Sequence, residues 1–133
     1  MLEFNMKDQK LTLSILPETF TICRLDRNAP VPDWATKGNF YSITRTQDEL
    51  SILCDAKFVP ENIKQDSGWR AFKLEGPIDL TSTGILASLV DPLSEANISI
   101  LVVSSYDTDY ILVRTKRFKQ ALEIYKEFCN VQE

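Results

Sequence analysis

The chain has 133 residues, of which 44% are hydrophobic and 26% are charged, and its formal net charge is −4. These values fit one globular domain or two small units that share a core, and the negative charge argues against nucleic-acid binding, which needs Lys and Arg to neutralise phosphates. The sequence contains no histidine, which excludes a Ser-His-Asp triad, a Cys-His dyad and the common zinc sites. We therefore expect a protein that is not an enzyme and carries no cofactor.

No segment has the features of a membrane span or a signal peptide. The longest apolar run covers four residues, Ile100–Val103, which is far too short to cross a bilayer, and residues 1–8 lack a basic region and an apolar core. Cys23, Cys54 and Cys129 are widely spaced beside apolar neighbours, so we expect buried, reduced side chains. The sequence therefore predicts a cytoplasmic protein without a membrane partner.

Short segments of alternating apolar and polar residues fill the first half. Leu11–Leu16 and Phe20–Leu25 predict two strands. Phe40–Thr44 and Leu50–Cys54 predict a hairpin around the loop Thr46–Glu49.

Turn-forming residues connect these strands. Pro32–Ala35 predicts one helical turn, because Pro is tolerated at a helix start, and Lys57–Ile63 predicts at most another. The polar segment Gln65–Gly68 ends in glycine and is the expected boundary. We therefore divide the chain into an N-terminal unit at residues 1–66 and a C-terminal unit at residues 67–133.

The second half predicts the order β-α-β-β-α. Trp69–Glu75 alternates and predicts a strand; a helix follows from Gly84, with a kink or a break at Pro92 and a left-handed end at Asn97. The apolar run Ile98–Ser105 is typical of a central strand.

The remaining residues predict a partner strand and a last helix. Tyr110–Val113 is expected to pair with the central strand, and apolar spacing predicts a helix over Arg117–Asn130. A split β-α-β sheet needs a fourth strand, and no residues after this helix supply one. The first half has a strand to spare, so we expect the N-terminal strand to complete the second sheet or the sheet of a partner chain.

Two polar loops are expected at the same edge of the second sheet. Backbone N–H groups at the start of the first helix favour a carboxylate, Asp side chains could pair with an ammonium group, and hydroxyls offer neutral hydrogen bonds. The candidate ligand-binding residues are Asp79, Ser82, Thr83, Gly84, Ile85, Ser104, Ser105, Asp107, Thr108 and Asp109.

Each of these residue types also has a purely structural interpretation. Ser82 and Thr83 could simply cap the helix, and Asp107–Asp109 could simply form a hairpin turn. A metal site at the same carboxylates would need further oxygen ligands that the sequence does not place.

Several segments resemble the ACT domain, and more narrowly the small tandem-ACT proteins related to the CASTOR-type cytosolic arginine sensors. The resemblance covers roughly residues 10–130 and is most specific around Tyr106–Tyr110. The segments that carry it are Leu16–Phe20, Val31–Trp34, Ser42–Ile52, Gly68–Ala71, Leu74–Ala87, Pro92–Ile100 and Ser104–Val113.

The resemblance implies an α+β fold of two ferredoxin-like (βαββαβ, ACT-type) units with antiparallel sheets, interlocked by strand sharing. It also implies a regulatory protein that binds a free amino acid at the interface between ACT units, as a homodimer that contacts a regulatory protein partner. The first unit diverges from the family pattern, with Pro30–Ala35 in place of a helix, and is not expected to hold a site of its own.

Two other functions stay open from the sequence. The first is a ligand-free module for protein–protein interaction or dimerisation, which a buried interface without a cavity near Gly84 would favour. The second is an enzyme that uses Asp107 or Asp109 as a base, which needs a second functional group and a raised carboxylate pKa.

Overall fold

The computed structural model describes residues 11–76 and 84–133, and within these ranges the fold is a mixture of strands and two α-helices. The strands are β1 (Leu11–Ile15), β2 (Phe20–Leu25), β3 (Ser42–Arg45), β4 (Leu50–Asp55), β5 (Gln65–Leu74), β6 (Ile100–Ser104), β7 (Asp109–Arg114) and β8 (Cys129–Gln132). The helices are α1 (Ile85–Glu95) and α2 (Phe118–Lys126), and the 3-10 helices are Asp33–Thr36, Ala56–Phe58 and Thr115–Arg117. The predicted α+β class is confirmed.

The chain forms two compact units. Unit 1 comprises Met1–Pro17 and Arg70–Glu133, and unit 2 comprises Glu18–Trp69. The division predicted from the sequence, after residue 66, assigned β1 to the same unit as β2, whereas here β1 belongs to unit 1 with the second half of the chain. That division stays a prediction.

Unit 2 is a four-stranded antiparallel sheet in the order β3-β4-β2-β5. The predicted hairpin of β3 and β4 is confirmed, with Arg45 opposite Leu50. The helical turn predicted at Pro32 is also confirmed, as a 3-10 helix that starts at Asp33 and buries Ala35. In this unit, the 3-10 helix Asp33–Thr36 lies between β2 and β3, and the 3-10 helix Ala56–Phe58 lies between β4 and β5.

One buried cluster of unit 2 is built from small and medium side chains, while Phe20 and Trp69 are buried elsewhere in the unit. Ala35, Leu50, Ile52 and the two cysteines form this cluster. Cys23, Cys54 and Cys129 are buried thiols that form no disulfide, as predicted. A hydrogen bond with Cys23, together with burial, raises the pKa of the Cys54 thiol.

A single strand, β5, supplies Gln65–Trp69 to unit 2 and Arg70–Leu74 to unit 1. The segment Gln65–Gly68, expected as the boundary between the units, thus lies within this strand. Its residues pair with β2, with Cys23 opposite Gln65 and Thr21 opposite Ser67. The register then shifts by one residue, so that Phe20 lies opposite Trp69. Gly68 adopts φ 87° at this bulge, a left-handed conformation that glycine tolerates best.

The N-terminal strand completes the sheet of unit 1. β1 pairs antiparallel with β5, placing Leu13 opposite Leu74, and β8 pairs parallel with β1, placing Leu11 opposite Cys129. The expectation that β1 completes the second sheet is thus confirmed within one chain. The helix predicted to reach Asn130 ends at Lys126, and the expectation that no strand follows it is wrong. Apolar spacing could not reveal β8, because its partner β1 lies at the other end of the chain.

At the other side of this sheet, β7 pairs with both β5 and β6. Among the described residues β6 pairs only with β7, so the prediction that this apolar strand is central is wrong. Strand β7 lies between β6 and β5, and its Ile111, Leu112 and Val113 have no exposed surface.

Both α-helices contribute to the core of unit 1. Phe72 on β5 stacks on Phe118 at a centroid distance of 5.0 Å and meets Tyr125 edge-on at 5.0 Å. The Tyr125 hydroxyl donates to the carbonyl of Leu89 at 2.8 Å, which ties α2 to α1. The buried cluster consists of Leu13, Phe72, Leu74, Ile85, Leu89, Leu93, Ile98, Ile111, Val113, Ala121, Tyr125 and Cys129.

Helix α1 ends as predicted, with Asn97 in a left-handed conformation at φ 58°. The N–H groups of Asn97 and Ile98 donate to the carbonyls of Ser94 and Leu93, at 2.9 Å and 3.0 Å, which is the pattern of a Schellman motif. The helix runs through Pro92 without interruption, so the alternative of two helical pieces is wrong.

Candidate functional site

The turn between β6 and β7 is held together by the residues predicted to bind a ligand. The Ser105 N–H and hydroxyl both donate to the carbonyl of Thr108, at 2.8 Å and 3.1 Å, and the Thr108 N–H donates to the Ser105 hydroxyl. The Ser104 hydroxyl donates to Asp109 Oδ1, between the last residue of β6 and the first of β7. These side chains therefore fix the shape of the turn.

Thr108 fastens this turn to the neighbouring strand. Its side chain is 3% exposed, and its hydroxyl donates at 2.5 Å to the carbonyl of Leu74, the last residue of β5. The next residue, Glu75, donates its N–H to the carbonyl of Thr12 at 2.8 Å and accepts a hydrogen bond from the hydroxyl of Ser14. The β6–β7 turn thus lies where the chain leaves β5 toward α1, as the sequence predicted.

The tip of the turn carries two exposed side chains. Asp107 is exposed, and Tyr106 is 84% exposed, the largest value among the exposed large hydrophobic residues of the described chain. Such a pair can bind a cation, because the face of the aromatic ring attracts it and the carboxylate forms an ion pair with it. Tyr106 was not among the predicted ligand residues. The sequence does contain a signal for its exposure, because Tyr106 comes directly before the predicted turn Asp107–Asp109.

The start of α1 is the second segment that the sequence predicted to contact a ligand. Gly84 is the N-cap residue, has φ 86°, and has open space where a side chain would be. It therefore leaves the N–H groups of the first helical turn without a side-chain cap of its own. Ile85 belongs to the core cluster, so only its backbone could meet a ligand. Asp79, Ser82 and Thr83 lie outside the described residues.

Two further tests concern metals and membranes. Within residues 11–76 and 84–133, no group of three or more His, Cys, Asp or Glu residues is arranged to hold a metal ion. The same ranges contain no helix long and apolar enough to cross a membrane.

Family models match both halves of the chain. The ACT domain model matches residues 64–126, and a model of an N-terminal domain matches residues 18–62.

Curated relatives match over part of their length. The human protein CASTOR3P is 30% identical over 95 residues, which are 59% of this chain and 56% of that protein. The bovine cytosolic arginine sensor for mTORC1 subunit 1 is 29% identical over 86 residues, which are 56% of this chain and 26% of the sensor. The match therefore spans about half of the first relative and a quarter of the second.

Solved structures match over nearly the whole chain. The protein Atu0741 from Agrobacterium tumefaciens is 38% identical, with a TM-score of 0.87 and 93% of each chain covered. The regulatory subunit of aspartate kinase from Thermus thermophilus is 9% identical, with a TM-score of 0.57 over 87% of this chain and 95% of that one, which shows a shared fold alone. Residues 64–126 thus form a domain of the ACT family, and the chain is homologous to the CASTOR-type arginine sensors.

Proposed function

We propose that the protein is a non-enzymatic regulatory module that binds a free amino acid at the edge of unit 1. The edge consists of the turn Ser105–Thr108 and the start of α1 at Gly84. The ligand lies between the ACT units of two paired copies and stabilises the pair. A regulatory protein partner then recognises the paired form.

The hydrogen bond from Thr108 to Leu74 is the observation that carries this proposal. It fixes the β6–β7 turn, with the exposed side chains of Tyr106 and Asp107, against the end of β5. A rigid turn keeps these side chains in place before a ligand arrives, which reduces the entropy lost on binding.

The chemistry of the edge suits an amino acid. Its carboxylate would accept from the N–H groups of the first turn of α1, to which Gly84 offers no side-chain cap and where the helix dipole favours negative charge. Its ammonium group, or a cationic side chain, would pair with Asp107 and lie against the ring of Tyr106.

The relatives support a regulatory role without chemistry. The name of the bovine relative describes a cytosolic arginine sensor. By this analogy we place the protein in the cytoplasm and assign it no catalytic residue.

The strand orders support two interlocked ferredoxin-like units. Unit 2 has the order β3-β4-β2-β5, and unit 1 has the order β6-β7-β5-β1, with β8 added beside β1. Each is the 2-3-1-4 order of a βαββαβ unit when β1 serves as the fourth strand of unit 1.

Thermal unfolding in the presence of each of the twenty amino acids tests the proposal. A ligand at about 100 times its dissociation constant should add about 2.7 kcal/mol to the free energy of unfolding. Asp107→Asn should abolish the shift of the melting temperature, and Asp91→Asn, which removes an exposed carboxylate from the second half of α1, should preserve it. No shift with any amino acid at millimolar concentration would refute the proposal.

A ligand-free dimerisation module is the second candidate, and strand β6 favours it. This apolar strand has one paired neighbour among the described strands, and its Val102 is 38% exposed. An open edge of this kind is a template for pairing with another chain. A dimer in light scattering that Val102→Lys dissociates, with no response to any amino acid, would support this candidate over amino-acid sensing.

A further inference from the structure

Unit 2 contains a pocket that the function proposed above does not use. Its volume is about 230 Å³, below the roughly 300–1,000 Å³ of pockets that hold drug-sized ligands. It is lined by Ile22, Cys23, Arg24, Glu49, Ser51, Lys64, Gln65 and Asp66. A molecule that fills it therefore has few heavy atoms.

Strand register explains why these side chains converge. Arg24 on β2 lies opposite Ser51 on β4, and Ile22 lies opposite Asp66 on β5. Paired residues, and residues two apart along a strand, share one face of a sheet. The N–H of Arg24 donates to the carbonyl of Lys64 at 3.0 Å, which places Lys64 beside Arg24. Two cationic side chains thus lie next to each other, at one end of the apolar side chain of Ile22.

The positions of Arg24 and Glu49 are fixed by their own surroundings. One guanidinium nitrogen of Arg24 donates to the carbonyl of Asp48 at 3.0 Å. Thr46 holds the backbone of Glu49 by two hydrogen bonds. The Thr46 N–H donates to the Glu49 carbonyl, and the Glu49 N–H donates to the Thr46 hydroxyl oxygen. Within the described part of the chain, Arg24, Lys64 and Glu49 form no ion pair.

The balance of charge selects a class of ligand. The lining carries two cations, Arg24 and Lys64, and two anions, Glu49 and Asp66. A phosphate would meet the two carboxylates, and a polyamine would meet the two cations, whereas a molecule with both charges is matched at each end.

We propose that this pocket binds a small zwitterion of free amino-acid size. Its carboxylate pairs with Arg24 and Lys64, its ammonium group pairs with Glu49, and its carbon skeleton lies on Ile22. The site is separate from the edge of unit 1, so it stands whether or not a ligand binds there.

Amide NMR signals of the full ¹⁵N-labelled chain test the site during titration with each of the twenty amino acids. For an amino acid that binds, we expect saturable shifts at Ile22, Ser51 and Gln65. Its methyl ester lacks the carboxylate and its N-acetyl form lacks the ammonium group, so each should bind about tenfold more weakly, as expected for a lost charge-assisted hydrogen bond.

Two variants assign the roles of the side chains. Lys64→Met and Glu49→Gln should each weaken binding about tenfold, while Lys37→Met and Glu61→Gln, which alter exposed residues of the same unit away from the pocket, should not change it. The spectrum of each variant without ligand shows whether it is folded.

The outcomes separate this site from the proposed function. Shifts at Ile22, Ser51 and Gln65 without shifts at Gly84 and Tyr106 support the pocket and count against the edge of unit 1. Shifts only at Gly84 and Tyr106 support the edge of unit 1 and count against the pocket of unit 2. No saturable shift in unit 2 with any amino acid, or equal binding of the N-acetyl form, overturns the zwitterion site.

Discussion

The two units use the same order of strands but cover their sheets differently. Unit 1 packs α1 and α2 on one face, and its core contains leucines, isoleucines and the aromatic residues Phe72 and Tyr125. Unit 2 has 3-10 turns at Asp33–Thr36 and Ala56–Phe58, and its cluster contains Ala35 and two cysteines beside Leu50 and Ile52. The strand pairing of the fold thus persists in unit 2 without α-helices to cover the sheet.

Removal of β1 should have the largest effect on this comparison. Deletion of residues 1–16 takes away the strand between β5 and β8 and the fully buried side chain of Leu13. The loss of free energy of unfolding should be comparable with the whole stability of a domain, about 5–15 kcal/mol. Unit 1 should therefore unfold, and its amide NMR signals should lose their chemical-shift dispersion.

A control deletion and a contrary result make this prediction testable. Deletion of residues 1–8 removes chain but leaves β1, so the melting temperature should change little. An unchanged melting temperature after deletion of residues 1–16 would show that β1 is dispensable for unit 1.

Matched Leu→Ala substitutions compare the two cores directly. Leu89 in unit 1 and Leu50 in unit 2 are both fully buried, and such substitutions cost about 2–5 kcal/mol. We expect Leu89→Ala near the upper end, because two helices and a sheet hold the cavity open, and Leu50→Ala near the lower end. Urea unfolding measures both, and an equal cost would remove the distinction between the cores.

Tyr125 should make the stability of unit 1 sensitive to alkaline pH. Burial, with a smaller contribution from Cys129, raises the pKa of its phenol well above the usual value of about 10. The folded state then keeps a proton that the unfolded state loses, so this contribution is complete below about pH 10 and is lost as the pH rises toward the folded pKa, by about 1.4 kcal/mol per pH unit.

Tyr125→Phe tests this dependence. At neutral pH the variant should lose about 1–1.5 kcal/mol with the hydrogen bond to Leu89, and above about pH 10 its free energy of unfolding should fall less steeply than that of the natural chain. Tyr106→Phe, at an exposed position, is the control. Parallel pH profiles for Tyr125→Phe and the natural chain would contradict the prediction.

Asn97 should give the smallest effect. At φ 58° a residue with an ordinary side chain is strained by about 1–2 kcal/mol, whereas Gly and Asn adopt this conformation readily. Asn97→Ala should therefore lower the free energy of unfolding by about 1 kcal/mol, and Asn97→Gly should leave it nearly unchanged. Equal losses for both variants would show that the side chain of Asn97, rather than its backbone, sets the end of α1.

Local patterns predicted the elements whose partners are near in sequence. The alternation of Phe20–Leu25 and the left-handed stop at Asn97 were read correctly, because each depends on a few neighbouring residues. Pairing across the chain was harder to see. The strand character of Gln65–Gly68 depends on its pairing with β2, and β8 depends on β1.

The candidate site was predicted in part for the same reason. The sequence placed the β6–β7 turn beside the end of β5, but it could not show that Ser104, Ser105 and Thr108 use their hydroxyls within the fold. Their roles as ligand contacts stay predictions, as do those of Gly84, Ile85, Asp107 and Asp109. The pocket of unit 2 was not foreseen, because Arg24, Glu49 and Lys64 meet only through the register of three strands.

The position of β1 has a consequence for the order in which the chain folds as it is synthesised. Residues Glu18–Trp69 emerge from the ribosome before the second half exists, so unit 2 can pair its strands first. Strand β1 emerges earlier still, yet its neighbours β5 and β8 are synthesised later, β8 after all the other described strands. Contacts between such distant residues form slowly. Unit 1 is therefore the last part to close, and the newborn chain carries an unpaired strand until it does.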